Sequence, residues 1–293
     1  MSEDNWTIIR VLSWTAERFE REGIESPRLD AELLLSHCLG VDRVRLYVDH
    51  DKPLQPGELE RYRGLVRRRL AREPVAYITE TREFWSLSLA VNRHVLVPRP
   101  ETETLVERAL ELLDALAELD APVAVDVGTG SGAVAVALAL ERPDVRVAAV
   151  DLGPKALTLA RENARRHGVE VAFYQGDLLE ALPSELCASL RLVAANLPYV
   201  QSDEIDGLQP EISKWEPRAA LDGGADGLDH IRRLVEQSET RAPGAAVALE
   251  IGSEQGAGVR ALFRTRGYSQ VVVHQDLGGR DRVVTALPAG WQR

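Results

Sequence analysis

The chain has 293 residues, enough for one large domain or two unequal ones with a sizeable core. Its 35 Lys+Arg against 46 Asp+Glu leave a formal net charge of -11, which argues against a protein whose main task is to coat nucleic acid. A hydrophobic fraction of 45% excludes a disordered chain, and Cys38 and Cys187 are too few and too far apart for a disulfide scaffold or a metal knuckle. The start lacks the basic and apolar regions of a secretion signal, and no long uncharged apolar run occurs, so no membrane span and a reducing cytoplasm are expected.

Residues 1–75 read as a helical domain. Apolar residues recur at helical spacing from Asn5 to about Glu22. Ser26, Pro27 and Gly40 bracket a second helix, and Pro56-Gly57 precedes a third, Glu58 to Arg72. That helix carries six arginines, read either as a solvated, salt-bridged face or as a surface for an acidic partner. This part holds 14 acidic and 13 basic residues, so the acidity belongs to the remainder. Residues 76–97 look extended, and are expected to be a β-hairpin linker with Asn92-Arg93 as its turn. Pro98-Arg99-Pro100 ends it, and a helix from Glu101 to Leu119 follows.

Residues 98–293 then alternate strands and helices. Strands are expected at Val123–Val127, Val145–Val150, Val169–Tyr174, Leu190–Ala195, Ala246–Ile251, Ser269–Val273 and Arg282–Ala286. This predicts an α/β fold, a doubly wound, mostly parallel seven-stranded sheet, with the last two strands closely spaced around Gly278-Gly279 as an antiparallel hairpin at the edge.

Gly128-Thr129-Gly130-Ser131-Gly132 follows the first of these strands and opens a helix, where glycines permit a tight turn and close approach of a ligand. The spacing suits a methyl donor, a dinucleotide or a structural turn. Asp151, at the end of the next strand, is placed to accept the ribose hydroxyls of either cofactor, or to cap the helix after it. Asp177 and the backbone of Leu178 could contact an adenine or cap a loop.

Asn196-Leu197-Pro198-Tyr199 ends the fourth strand, where doubly wound sheets bind ligands. A planar NH2 group is a poor nucleophile because its lone pair is delocalised. The Asn196 side-chain oxygen could accept one of its N–H bonds and the Leu197 carbonyl, held by Pro198, the other, while Tyr199 packs on the flat face. Alignment would then supply much of the catalysis without a strong base. The bland alternative is a strand-ending turn. The six histidines are scattered, with no metal spacing, and are expected at the surface or as satisfied interior residues. A nicotinamide-dependent enzyme would leave Asn196–Tyr199 without a role, and intact glycine and amide motifs count against a non-catalytic binding module.

Taken with Arg82-Glu-Phe-Trp85, Val97-Pro-Arg-Pro-Glu-Thr-Glu103, Glu216-Pro217, Leu221–Asp229, Glu250-Ile-Gly252 with Gln255, and Gly278–Arg282, these motifs span most of the chain in order. The chain resembles the bacterial glutamine methyltransferases that modify peptide-chain release factors, the HemK/PrmC family. The resemblance implies a class I S-adenosylmethionine-dependent methyltransferase fold. It also implies S-adenosyl-L-methionine as donor, S-adenosyl-L-homocysteine as product, and class-1 release factors gripped by the helical domain as partners, with no stable nucleic-acid partner and a monomeric chain. Carried over, Gly128, Thr129, Gly130, Ser131, Gly132, Asp151, Leu178 and Asn196 would contact the donor. Asn196, Leu197, Pro198 and Tyr199 would hold the glutamine, and Arg99 to Glu103 would line or shape the cleft, with a salt bridge fastening the hairpin to the core as the other reading of Arg99 and helix-start capping as the reading of Glu101 and Glu103. Leu197 departs from the family's usual Pro. Asn-Leu-Pro-Tyr is typical of rRNA adenine dimethyltransferases, so an N6-adenine methyltransferase is the alternative.

Overall fold

The computed structural model describes residues 6–115 and 122–291. Asn5 and the expected helical residues 116–119 therefore lie outside the described residues. The chain forms two compact units. One comprises Met1–Thr81 with Gln209–Trp215, the other Arg82–Leu208 with Glu216–Arg293.

The first unit contains α1 (Ile8–Arg21), α2 (Pro27–Leu39), α3 (Arg43–Val48), α4 (Pro56–Leu70) and α5 (Val75–Thr79), joined by a helical turn at Pro210–Ser213. Pro27 and Pro56 open their helices at N-terminal positions that need no N–H donor, and left-handed Gly40 closes α2. Leu12, Phe19, Leu34, Leu35, Leu46 and Tyr62 form the core. Arg69, only 5% exposed, bridges Asp30 at 2.8 Å and Glu211 at 2.7 Å, and Arg72 adds a second bond to Glu211. The arginine-rich helix thus has both a solvated face and a buried ion-pair face.

Residues 76–97 differ from expectation. Residues 75–79 are helical because Tyr77 and Ile78 are buried and Ile78 joins the helical core. The hairpin is β1 (Thr81–Phe84) with β2 (Leu87–Ala90), and residues 94–97 form no strand. Its turn is Trp85-Ser86, both left-handed at φ 52° and 57°, the conformation a two-residue hairpin turn demands. Phe84, Leu87 and Leu89 pack in the core of the second unit, so the hairpin belongs mostly to that unit, and the division falls at 81/82 instead of at 75 and 97.

The second unit continues with α6 (Glu103–Asp114), β3 (Val123–Val127), α7 (Ala133–Glu141), β4 (Arg146–Asp151), α8 (Pro154–Arg166), β5 (Val171–Gln175), α9 (Ser184–Ser189) and β6 (Leu190–Ala195). It ends with α10 (Asp229–Arg241), β7 (Ala246–Glu250), α11 (Gly256–Thr265), β8 (Tyr268–Gln275) and β9 (Asp281–Pro288). The seven-stranded sheet has the order β5-β4-β3-β6-β7-β9-β8. β3 through β7 pair in parallel, and β9 runs antiparallel to both β7 and β8. Every residue of β3 and β7 is buried, as the central strands of a sheet covered on both faces require. The order reverses at β3, flanked by β4 and β6, and this is where an open α/β sheet leaves a crevice at its carboxyl ends. None of the described helices is long and apolar enough to cross a membrane.

Candidate active site

Three left-handed glycines, Gly128, Gly130 and Gly132, shape the turn from β3 into α7. The N–H groups of Gly128 and Thr129 both donate to the Val150 carbonyl at 2.9 Å, folding the loop over β4. A Cβ on Gly132 would meet Ala160 at 3.1 Å, so this glycine lets α7 start close against α8. Fully buried Asn163 ties the parts together: it accepts from Ala90 N and donates to the carbonyls of Ala90 and Ser131.

Two aspartates hold the loop from opposite sides. Asp126 accepts from Thr129 Oγ1 at 2.6 Å and Ala135 N at 3.1 Å, and burial pushes its carboxyl up to about 6. Asp151 accepts from Gly130 N through Oδ2 and from Gly153 N through Oδ1, each at 2.8 Å. Its two oxygens therefore both cap local backbone and face the crevice with their remaining lone pairs.

A cavity of about 350 Å³ opens here, at the carboxyl ends of β3, β4 and β6. It brings together Gly128, Thr129, Gly130, Ser131, Asp151, Leu178, Asn196, Leu197, Pro198 and Arg99. Gly132 and Tyr199 are not in its lining. A larger, open groove of about 1200 Å³ beside β5, lined by Arg146, Arg161 and Phe173, contains none of these residues. His94 and His230 do line the cavity, although the sequence marked them only as surface or interior residues; burial, with Lys155 and Arg93 nearby, lowers the His94 pKa.

Leu178 is buried with φ 48°, a left-handed conformation unusual for a branched residue, and it follows Gly176 and Asp177 into the cavity wall. Asp177 pairs with Arg233 through one carboxylate oxygen, and its buried Oδ1 has no hydrogen-bond partner among the described residues. Arg99 bonds the buried Glu216 at 2.6 Å, a partner outside the hairpin, and also lines the cavity. Burial raises the Glu216 pKa even beside that guanidinium. Glu103 accepts from the Trp85 N–H at 2.8 Å, fastening the hairpin turn to the start of α6.

Asn196 is half-buried and donates from Nδ2 to Thr102 Oγ1 at 3.1 Å. Leu197 is 4% exposed and points into the apolar core under the glycine loop. Tyr199 donates its hydroxyl to Glu250 Oε1 at 3.3 Å, and its carbonyl accepts from Gln255 Nε2 at 3.0 Å. Burial, then the neighbouring Glu250, drives the Tyr199 phenol well above its ordinary pKa, so it is neutral at physiological pH. Burial lifts Glu250 to about 7.

Sequence reasoning misses Asn163, and it reaches Thr102 only as part of the run from Arg99 to Glu103 and Glu250 only as part of the Glu250-Ile-Gly252 motif. Glu250 ends an apolar strand, and a charged residue at the carboxyl end of an otherwise buried strand was the available signal.

Residues 10–79 match the PrmC N-terminal domain, and residues 120–197 match a methyltransferase domain. A Geobacter sulfurreducens release factor glutamine methyltransferase is 44% identical over 280 residues, 95% of this chain and 96% of the relative. One from Caulobacter vibrioides is 39% identical over 286 residues, covering 96% and 97% of the two chains. Among solved structures, the hMettl16 catalytic domain in complex with the MAT2A 3'UTR hairpin 6 superposes with a TM-score of 0.57 at 15% identity, over 75% of this chain and 81% of that one, a likeness of fold.

Proposed function

The chain belongs to the release factor glutamine methyltransferase family, and from that premise we propose that it transfers a methyl group from S-adenosyl-L-methionine to the side-chain N5 of the glutamine in the Gly-Gly-Gln loop of class-1 release factors. The observation that carries the reading is the meeting of the glycine loop, Asp151 and Asn196–Pro198 around one cavity. The helical unit is proposed to grip the release factor, and the reaction to take place in the cytoplasm with the enzyme as a monomer.

The residues fit the donor. Gly130 has nothing within 4 Å of where a Cβ would stand, so the loop offers backbone without obstruction. Asp151 lies beside it with lone pairs left for ribose hydroxyls, and Leu178 and Asp177 wall the side where an adenine would rest. Gly128, Thr129, Ser131 and Gly132 set the loop's path. S-adenosyl-L-methionine supplies an electrophilic methyl group on a sulfonium and leaves as S-adenosyl-L-homocysteine.

The chain's own part is to bind and orient the amide. Asn196 Oδ1 is free to accept one amide N–H because its Nδ2 is engaged by Thr102. The Leu197 carbonyl accepts the second, with Pro198 limiting the backbone at that point. Fixing both N–H bonds aims the nitrogen lone pair and removes the cost of finding that orientation in solution. Tyr199, outside the lining, anchors the turn through Glu250 and Gln255. Arg99 holds the cavity wall through Glu216. Methyl transfer leaves the nitrogen with a positive charge and both of its hydrogens, and one of these protons, now strongly acidic, passes to water while the other stays on the methylated amide, which suits a site whose tyrosine is neutral.

The test is transfer of label from S-adenosylmethionine to purified release factor, with a factor whose Gly-Gly-Gln glutamine is changed to Ala, and rRNA in parallel. Label in the intact factor alone is expected. Label in the rRNA alone would instead support adenine methylation.

A further inference from the structure

We propose that Gln255 is a positioning residue that sets the direction of the Leu197 carbonyl, an inference that rests on the reading of that carbonyl as the acceptor for the second N–H of the substrate amide.

The carbonyl lies in a segment that leaves β6 at Ala195 and is tied down again at Tyr199. Pro198 has no free φ, so turning the Leu197–Pro198 peptide plane carries Tyr199 along with it. Tyr199 is held at both ends. Its hydroxyl donates to Glu250 Oε1 at 3.3 Å, and its carbonyl accepts from Gln255 Nε2 at 3.0 Å. Beyond it, the Val200 N–H donates to the Leu221 carbonyl at 3.0 Å, and the Gly223 N–H donates to the Val200 carbonyl at 2.8 Å.

The Gln255 amide fits one way only, because its partners are all backbone groups of fixed polarity. Its Oε1 accepts from the Gly252 N–H at 2.9 Å, and its Nε2 donates to the Tyr199 carbonyl and, at 3.4 Å, to the Gly227 carbonyl. An N–H can only donate and a C=O can only accept, so the reversed amide would set an oxygen against two carbonyls and an NH2 against an N–H. The base of the side chain is fixed as well. The Gln255 N–H donates to the Gly252 carbonyl at 3.0 Å, and the Gln255 carbonyl accepts from the Val259 N–H at 3.0 Å in the first turn of α11.

The Leu221–Asp229 motif supplies the other wall of this clamp. A Cβ on Gly227 would collide with the Tyr199 carbonyl oxygen and stand 2.7 Å from Gln255 Nε2, and one on Gly223 would stand 2.7 Å from the Gly227 carbonyl oxygen. Glycine at both positions lets the loop backbone lie against Tyr199 and Gln255 with no side chain between. The Asn196–Tyr199, Leu221–Asp229 and Glu250–Gly252 motifs, far apart in the chain, are thereby joined at one side-chain amide.

The experiment compares wild type, Gln255→Met and Gln255→Glu in methyl transfer to release factor, with rRNA in parallel. Rates are expressed per site that binds donor by calorimetry, so that loss of folded enzyme is not read as loss of turnover. Methionine keeps the length of the side chain and removes every bond. Glutamate keeps the shape and the acceptor for Gly252; ionised, it turns an oxygen on the Tyr199 carbonyl, and protonated, it donates there as the amide does. In Gln255→Met, kcat should fall roughly 10–100-fold with the donor KM within about twofold. In Gln255→Glu, kcat should be as low near about pH 8 and recover at least about fivefold relative to wild type as the pH falls to about 6, because the Tyr199 and Gly227 carbonyls disfavour the charged form. The charged groups on the elements around Gln255 are Glu250, Glu254, Asp229, Asp281 and Arg282. All are common to the three proteins, and Gln255→Met, which cannot titrate at this position, is the control for them. A methionine variant with wild-type kcat per donor-binding site, or a glutamate variant whose pH course parallels that of the methionine variant, would overturn the proposal. Label in rRNA instead of release factor would end the functional reading, and the same three proteins assayed on rRNA then decide on Gln255; label in neither would overturn both.

Discussion

Leu197 packs directly beneath Gly128: a Cβ on that glycine would stand 3.1 Å from Leu197 Cδ2 and 3.5 Å from the Asn196 carbonyl. The residue that departs from the family's usual proline is thus a floor for the glycine loop. Gly128→Ala combines this contact with a φ of 75°, and should weaken donor binding at least about tenfold, read by calorimetry. Leu197→Ala empties a buried site and should cost about 2–4 kcal/mol in chemical denaturation, with the carbonyl still in place. A wild-type affinity in Gly128→Ala would show that the loop moves freely over Leu197.

Asn196 and Asp151 line the same cavity but are assigned different partners. Asn196→Ala should leave donor affinity within about threefold and lower turnover by roughly 100-fold or more. Asp151→Ala should do the reverse first: it frees Gly130 and Gly153 N–H groups and removes the ribose acceptor, so donor affinity should fall at least about tenfold. Donor titration followed by saturation kinetics separates the two. Loss of donor affinity with normal saturated turnover in Asn196→Ala would remove it from the amide clamp.

Glu250 gives the enzyme an inverted acid response at one position. Its folded pKa of about 7 lies above the ordinary 4.5, so the folded state keeps a proton that the unfolded chain releases. Its stabilising contribution is therefore complete below about pH 4.5 and is lost as pH rises through 7. Asp126, raised to about 6, acts in the same direction over a lower range. Glu250→Gln should flatten the decline between pH 5 and 8 by on the order of 2–3 kcal/mol, measured as the difference in urea unfolding between wild type and variant. A parallel pH course in both would show that the carboxyl is ionised throughout.

Arg69 is the single cation between Asp30 and Glu211 that is itself buried. Burial pushes the Glu211 carboxyl up, but hydrogen bonds from Arg72 and Arg69 take it below its ordinary value, while Asp30 stays raised by burial. Arg69→Ala should destabilise the helical unit by about 3–5 kcal/mol, because two carboxylates lose a shared partner. Thermal unfolding followed by Trp fluorescence checks this; a shift under about 1 kcal/mol would mean that water replaces the guanidinium.

The succession of strands along the chain and the place of the glycine loop were legible because each rests on local chemistry: a buried apolar run, a turn that needs glycine, a helix that follows. Asp151 ends a strand and Asn196, Leu197 and Pro198 follow one, which is why the sequence could mark them as candidates for one crevice. The Trp85-Ser86 turn was not, since bulky residues rarely take left-handed angles and no Gly or Asn announces it. The helix 75–79 was hidden by its β-branched residues, which tertiary packing of Ile78 overrides. Thr102 and Glu250 lie in stretches the sequence marks, but their pairings with Asn196 and Tyr199 run across 94 and 51 positions of chain, and no local pattern encodes these.

The stretch Gln209–Trp215 has a consequence for anyone who would treat the helical part as a cassette. A single splice near residue 81 excises α1 through α5 but leaves behind Glu211, the carboxylate that Arg69 and Arg72 share, and Trp215, whose indole donates to the Ala71 carbonyl. In such a fragment Arg72 loses Glu211 and Arg69 keeps only Asp30, and a chimera joined at that point would inherit whatever the other protein supplies at positions 209–215. Exchange of this module between relatives therefore requires two grafts made together, and the short insert between β6 and α10 must travel with the amino terminus.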